Sequence, residues 1–262
     1  MINIRTQTQM DTIAHAGSII GKLFVELADR VRPGVSTGEI DRIAEDFIVS
    51  HDGAVPAFKG LYGFPGSVCI SLNEEVVHGI PSNHRVLDDG DIVTIDVGVR
   101  MEGWYSDSAR TFPVGHVSED AASLMDVTRR SLEAAVCAAV PGNHVGDIGA
   151  AVVRVVEGTD YGIIRELVGH GVGRDLHEEP QVPNIGRAGH GPLLREGMVL
   201  AIEPMLSAGA PDIRTLDDGW TVITVDRSLS AHFEHTVGIT KEGPRVLTSA
   251  DDPVAAGRTG FG

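Results

Sequence analysis

Between about Met10 and Val31 apolar residues recur at helical spacing, and Ile13, Ile20, Phe24, Leu27 and Val31 fall on one face. Arg32-Pro33-Gly34 ends that stretch. Ser36 and Glu39 then form the pair that opens a second helix, with Ile40, Ile43, Phe47 and Ile48 inward. The pattern changes next. Gly53 to Gly66 has no period and reads as a loop holding Phe58, Leu61, Tyr62 and Phe64, while Ser67 to Leu72 reads as a strand. From Gly90 to Thr111 (GDIVTIDVGVRMEGWYSDSART) β-branched residues alternate on either side of Arg100-Met101-Glu102-Gly103, the pattern of a hairpin. A third helix is predicted from near Ser118 to Ala139, then a break at Pro141-Gly142 and a fourth helix over about Val145 to Val156. The rest, to about Thr248, reads as strand and turn, and the small, polar tail 250–262 is expected to fray.

A long repeat runs through this order. Pro33-Gly34-x-x-x-Gly38-Glu39-Ile40 returns as Pro141-Gly142-x-x-x-Gly146-Asp147-Ile148, and Leu87-x-Asp89-Gly90 through Ile95-Asp96 returns as Leu194-x-Glu196-Gly197 through Ile202-Glu203. The first pair is displaced by 108 residues and the second by 107, and His78-x-x-Pro81 is echoed by His177-x-x-Pro180. This is far too long for a solenoid unit. It implies a single domain of two related α-α-β-β halves, about 1–115 and 116–249, that share one core and an approximate two-fold axis. The repeat equates Asp96 with Glu203, and Glu234, on a strand face with His232 and Thr236, is the expected counterpart of Asp107.

Composition narrows the function. In 262 residues, 42% are hydrophobic and 22% charged, an ordinary globular balance. The net charge of −16 argues against DNA or RNA as the main ligand. No apolar run is long enough to span a membrane, and no signal-peptide order opens the chain. Cys69 and Cys137 offer neither a disulfide framework nor zinc spacing, so a reduced, cytoplasmic protein is expected.

The chemistry centres on the hairpin. With 100–103 as its loop, Asp96 and Asp107 stand directly opposite each other on one face, where like charges destabilise the ladder. A hard cation would neutralise them, while a one-residue bulge would instead send Asp107 to solvent. Glu203 precedes Pro204, so it closes an extended segment from apolar surroundings, paired with either an arginine or a cation. Three glycines in Gly169-His170-Gly171-Val172-Gly173 exclude a stable helix and let the backbone pass close to another element while holding an imidazole.

Together Asp96, Asp107, His170, Glu203 and Glu234 make four carboxylates and one imidazole at strand-like positions. With SVCISLNEEVVHGIP, IDVGV, YSDSARTF, GHGVGRDLHEEPQVPN, GMVLAIEPML and FEHTVGIT, in that order, the chain resembles the type I (bacterial) methionine aminopeptidases over nearly its whole length. The resemblance implies the pita-bread fold, an α/β architecture in which an antiparallel sheet is covered by two pairs of helices. It also implies two divalent metal ions, drawn from cobalt, manganese, iron or zinc. Asp96 would hold the first ion, Asp107 and Glu234 would bridge, and His170 with Glu203 would complete the second. His78 and His177 match the family's substrate-contacting histidines, which with Glu203 form the implied catalytic set.

By position, Phe58, Leu61, Phe64, Cys69, Leu176 and Trp220 would form the methionine pocket. Many bacterial relatives carry aromatics where this chain has Leu61 and Leu176, and a cysteine where it has Phe58. The implied activity is removal of the initiator methionine from nascent chains when the second residue is small. The rival readings are a proline-specific aminopeptidase and a non-catalytic protein of the same fold that binds nascent chains or ribosomes. A monomer in transient contact with the ribosome is expected, with no DNA or membrane partner.

Overall fold

The computed structural model describes residues 2–250; the tail expected to fray lies, beyond Ala250, outside the described residues. The α-helices among the described residues are α1 Gln7–Ala28, α2 Thr37–Val49, α3 Glu119–Ala138 and α4 Val145–Val156. Strands β1 Ala54–Pro56, β2 Cys69–Leu72, β3 Glu75–Val77, β4 Ile92–Met101 and β5 Trp104–Pro113 lie between the helix pairs. After α4 come β6 Gly162–Ile163, β7 Gly169–Gly171, β8 Glu178–Val182, β9 Val199–Ile202 and β10 Met205–Ser207. The last are β11 Ile213–Thr215, β12 Val222–Thr224, β13 Ser230–His232, β14 His235–Thr240 and β15 Gly243–Val246.

The helices start where capping chemistry allows. Thr6 and Gln9 bond reciprocally at the head of α1, Ser36 accepts from the Glu39 amide at α2, and Ser118 accepts from the Ala121 amide at α3. The predicted inner face of α1 is buried: Ile13, Ile20, Phe24 and Leu27 pack away from solvent. One core joins α1 and α2 to β4, through Ile40, Ile48, Ile70, Val93 and Ile95 among others. A second joins α3 and α4 to β9, β13 and β14, through Leu124, Ile148, Leu200, Ile202 and Val237. Each helix pair thus covers its own strands.

Among the described residues all strand pairings are antiparallel, in four hydrogen-bonded sheets. Two are principal: β4 flanked by β1, β2 and β5, and the order β15-β14-β9-β7-β8. Between β5 and the 232–236 segment, hydroxyl groups stand in for a backbone ladder. Thr236 Oγ1 accepts from the Asp107 amide and donates to the Asp107 carbonyl, at 2.9 and 2.7 Å. Thr111 Oγ1 treats the His232 backbone the same way, with both contacts at 2.9 Å. The Ser108 hydroxyl donates to the Glu234 carbonyl at 2.5 Å. This seam brings β5 beside the last acidic residue of the set.

The β4–β5 hairpin corrects the sequence reading. Its loop is the two-residue turn Glu102-Gly103, with φ of 52° and 75°, and the ladder continues through Met101↔Trp104. Asp96 therefore pairs with Ala109 and Asp107 with Gly98, so the two aspartates are not directly opposite. The cause is burial: Met101 and Trp104 are both apolar and buried, which extends pairing past Arg100 and leaves only two residues to reverse the chain. Because strand side chains alternate with period two, the two-residue offset keeps both carboxylates on one face. The ladder is unbroken and Asp107 is 4% exposed, which excludes the bulge.

Hydrogen bonds recur at the repeat positions. Gly34 donates to the Leu87 carbonyl, and Gly142 to that of Leu194, at 2.8 and 3.1 Å. Isolated bridges join Ser36 to Val86 and His144 to Leu193.

Candidate metal centre and active site

Each acidic residue is carried by a strand or strand end. Asp96 lies midway along β4, Asp107 along β5, and Glu203 directly follows β9. Glu234 occupies the two-residue link between β13 and β14, not a continuous strand with His232 and Thr236 as the sequence implied. Its amide donates to the Ala109 carbonyl at 2.9 Å, so the link is still pinned to β5. The Glu203 carbonyl accepts from Asn184 Nδ2 at 3.1 Å, which fixes the backbone ahead of Pro204.

His170 sits in β7 between Gly169 and Gly171. A Cβ at Gly169 would lie 2.3 Å from the Ala201 carbonyl oxygen, and one at Gly171 2.3 Å from that of Glu179. The glycines thus admit the neighbouring strands β9 and β8. His170 Nδ1 contacts the Gly171 carbonyl at 2.9 Å, so that nitrogen carries the proton and Nε2 keeps its lone pair. Nε2 lies 3.9 Å from Asp107 Oδ2 and 3.7 Å from Glu203 Oε1.

The five residues converge on one cavity of about 310 Å³. Ligand atoms of Asp107, His170 and Glu234 lie within 4.8 Å of one another, and Glu203 reaches this group through His170. Among the described residues no lysine or arginine lines the cavity, so none of them is the arginine partner weighed for Glu203. Asp96 Oδ1, Asp107 Oδ1 and Glu234 Oε1 are buried without a hydrogen-bond partner. Burial pushes the Asp96 carboxyl up to about 7, against hydrogen bonds from Asp107 and the Val97 amide. Burial, then repulsion from neighbouring carboxylates, raises Asp107, Glu203 and Glu234 far above the usual range. Burial also holds His170 down at about 4, so its imidazole is neutral. Unpaired acidic oxygens around a neutral imidazole, with no basic side chain among them, are the donor set of a hard-to-intermediate divalent cation.

The predicted substrate residues line the same cavity. His78 follows β3 with φ of 60°, an uncommon conformation for a residue with a side chain, and this turns its ring inward. The His177 ring stands edge-on to His170, with centroids 4.5 Å apart. Next to His177, Glu178 accepts from Asn3, Arg5 and the Arg174 and Asp175 amides, so the N-terminal arm clamps this bend. Loss of solvation lowers both His78 and His177.

Phe58, Phe64, Cys69 and Leu176 are buried together, with Leu61 and Trp220 packed against them. The Phe64 and Trp220 rings meet edge to face at 5.1 Å. Phe58 lies over Gly98, where an added Cβ would come within 2.6 Å of its ring. Cys69 pairs with Asp96 in the β2–β4 ladder, and burial followed by the nearby acids raises its thiol well above the usual range. It is an apolar wall group rather than a nucleophile.

Sequence reasoning missed several residues. Val77, Leu167 and Val168 complete the apolar lining, and Tyr62, 80% exposed at φ 50°, stands at the cavity's edge. The unperiodic, glycine-flanked loop around Tyr62 was its only signal. His232 was noted solely for its strand face, yet its Nε2 lies 3.7 Å from Glu203 Oε2.

An acidic cluster that could hold a cation, walled by apolar residues on antiparallel strands, fits a metal-dependent peptidase. The chain belongs to metallopeptidase family M24, whose model matches residues 11–241, and its architecture is that family's pita-bread fold. It is 50% identical over 248 residues to the methionine aminopeptidase of Clostridium perfringens, covering 95% of this chain and 99% of that protein. Against the methionine aminopeptidase of Escherichia coli K12 the identity is 44% over 256 residues, 97% of each chain. The crystal structure of methionine aminopeptidase from Thermotoga maritima superposes with a TM-score of 0.93 at 42% identity, covering 95% of this chain and all of that one.

Proposed function

We propose that this chain removes N-terminal methionine from newly made polypeptides whose second residue is small, using two divalent metal ions. One observation carries the reading: unpaired, buried carboxylates share a cavity with an apolar wall and the imidazoles of His78, His170 and His177. High identity to methionine aminopeptidases over almost the full chain supports it.

Asp96, Asp107, His170, Glu203 and Glu234 are the residues that would hold the metal ions. Bound there, divalent cations supply Lewis acidity toward a carbonyl and lower the pKa of water. The remaining chemistry belongs to the chain. Phe58, Leu61, Phe64, Cys69, Leu176 and Trp220 receive the methionine side chain, whose thioether gains from aromatic contact. Glu203 takes a proton from the attacking water and delivers it to the leaving nitrogen. His78 and His177, being neutral, donate N–H bonds to the reacting peptide and to the charge that develops on its carbonyl oxygen.

The matched bonds of Gly34 and Gly142 support one catalytic domain of two related halves, 1–115 and 116–249. Among the described residues no helix is long and apolar enough to cross a membrane. Nascent chains as substrate place the enzyme in the cytoplasm, as a monomer in transient contact with ribosomes. The test is release of free methionine from Met-Ala-Ser and Met-Lys-Ser with Mn²⁺ or Co²⁺ added. Fast release from the first alone is expected, and equal rates would overturn the reading.

A further inference from the structure

Glu203 has an imidazole on each side. His170 Nε2 is 3.7 Å from Oε1, and His232 Nε2 is 3.7 Å from Oε2. His232 is 1% exposed and neither of its ring nitrogens has a hydrogen-bond partner. A buried, unpartnered imidazole is costly, and nothing in the mechanism above uses it. It is not among the residues that line the cavity. Its backbone, by contrast, is rigidly held: both groups bond Thr111 Oγ1, and β13 places it across from Met205, two residues past Glu203.

We propose that His232 is a positioning residue that donates from Nε2–H to Glu203 Oε2 and thereby aims Oε1 at the metal site beside His170. A direct ligand role fits less well. A metal-bound imidazole is normally held through its other N–H by a carbonyl or carboxylate, as His170 is by Gly171. His232 Nδ1 has no such acceptor. With the proton on Nε2, the ring instead offers its donor to Glu203, and a small carboxylate rotation closes 3.7 Å to bonding range. The inference rests on Glu203 being a metal ligand, as proposed above.

The test is calorimetric titration of Mn²⁺ into the chelator-treated full chain, which needs no substrate. His232→Gln retains a donor near the Nε2 position, His232→Asn places its amide near Nδ1, and His232→Leu has none. The Leu and Asn variants are expected to bind about 10–100-fold more weakly at one class of site, with Gln close to the parent. If the Leu variant does not fold, the Gln–Asn contrast decides. Equal affinity in all soluble variants, whatever their melting temperatures, would overturn the proposal. So would a Co²⁺ absorption spectrum showing that a nitrogen ligand is lost in His232→Gln. A parent chain that binds no Mn²⁺ would instead refute the metal-site reading itself.

Discussion

Asp96 and Asp107 stand two positions out of register on one face of the β4–β5 hairpin, each facing one of the smallest residues available, Ala109 and Gly98. The offset puts a small residue, not the other carboxylate, across from each acid. Directly opposed, they would meet at the closest spacing the ladder allows. The geometry therefore tolerates both acids in the metal-free chain while keeping their oxygens available.

That arrangement makes metal-free stability depend on pH. The folded-state pKa of Asp96 is raised from 3.8 to about 7, so the native chain keeps a proton that the unfolded chain has released. Stability from this group is present below about pH 4 and is lost as pH rises through about 7, at roughly 1.4 kcal/mol per pH unit. Asp107, Glu203 and Glu234, also raised, continue the loss at higher pH. Chelator-treated protein should melt at a lower temperature at pH 8 than at pH 6, and Mn²⁺ should raise the melting temperature more at pH 8. Differential scanning fluorimetry checks both; identical melting at the two values would contradict the buried acid cluster.

Asp107→Asn should separate metal binding from fold stability. Removing one of the crowded, unpaired carboxylates relieves repulsion and is expected to stabilise the metal-free chain by about 1–2 kcal/mol. The same change should abolish methionine release and sharply weaken Mn²⁺ binding. Chemical denaturation beside calorimetry measures the two effects; a destabilised metal-free variant would mean that Asp107 pairs with something other than metal.

His78→Ala and His177→Ala should each lower kcat by about 10²–10³-fold while leaving metal affinity unchanged. Both rings line the cavity, but neither belongs to the tight Asp107–His170–Glu234 cluster. Steady-state kinetics with a parallel metal titration is the measurement. Full turnover in either variant would make that imidazole structural.

Leu176→Phe should tighten specificity. Leu176 is 5% exposed among Phe58, Phe64 and Cys69, so a larger ring must take space from the pocket. Hydrophobic fit discriminates by roughly 1–3 kcal/mol per methylene. The parent chain is expected to release N-terminal leucine or norleucine slowly, and the variant to reduce that leak at least about 10-fold relative to methionine. An unchanged ratio would remove Leu176 from the pocket wall.

Much of this protein is decided locally, and local chemistry is legible in the chain. The inner faces of α1 and α2 follow from apolar spacing, and the starts of α2 and α3 follow from Ser36 and Ser118. The types of residue at the site, Asp96, Asp107, His170, Glu203 and Glu234, likewise state their chemistry wherever they sit. Register is different, because it depends on how far the buried pair Met101–Trp104 extends the ladder before Glu102-Gly103 turns. A periodic pattern identifies the face but cannot count the turn residues. The break that carries Glu234, the hydroxyl seam from Thr236 and Thr111 to β5, and the approach of His232 to Glu203 were decided only in three dimensions. The hydroxyl seam joins segments more than a hundred residues apart, one from each half of the chain, and no local pattern records that contact.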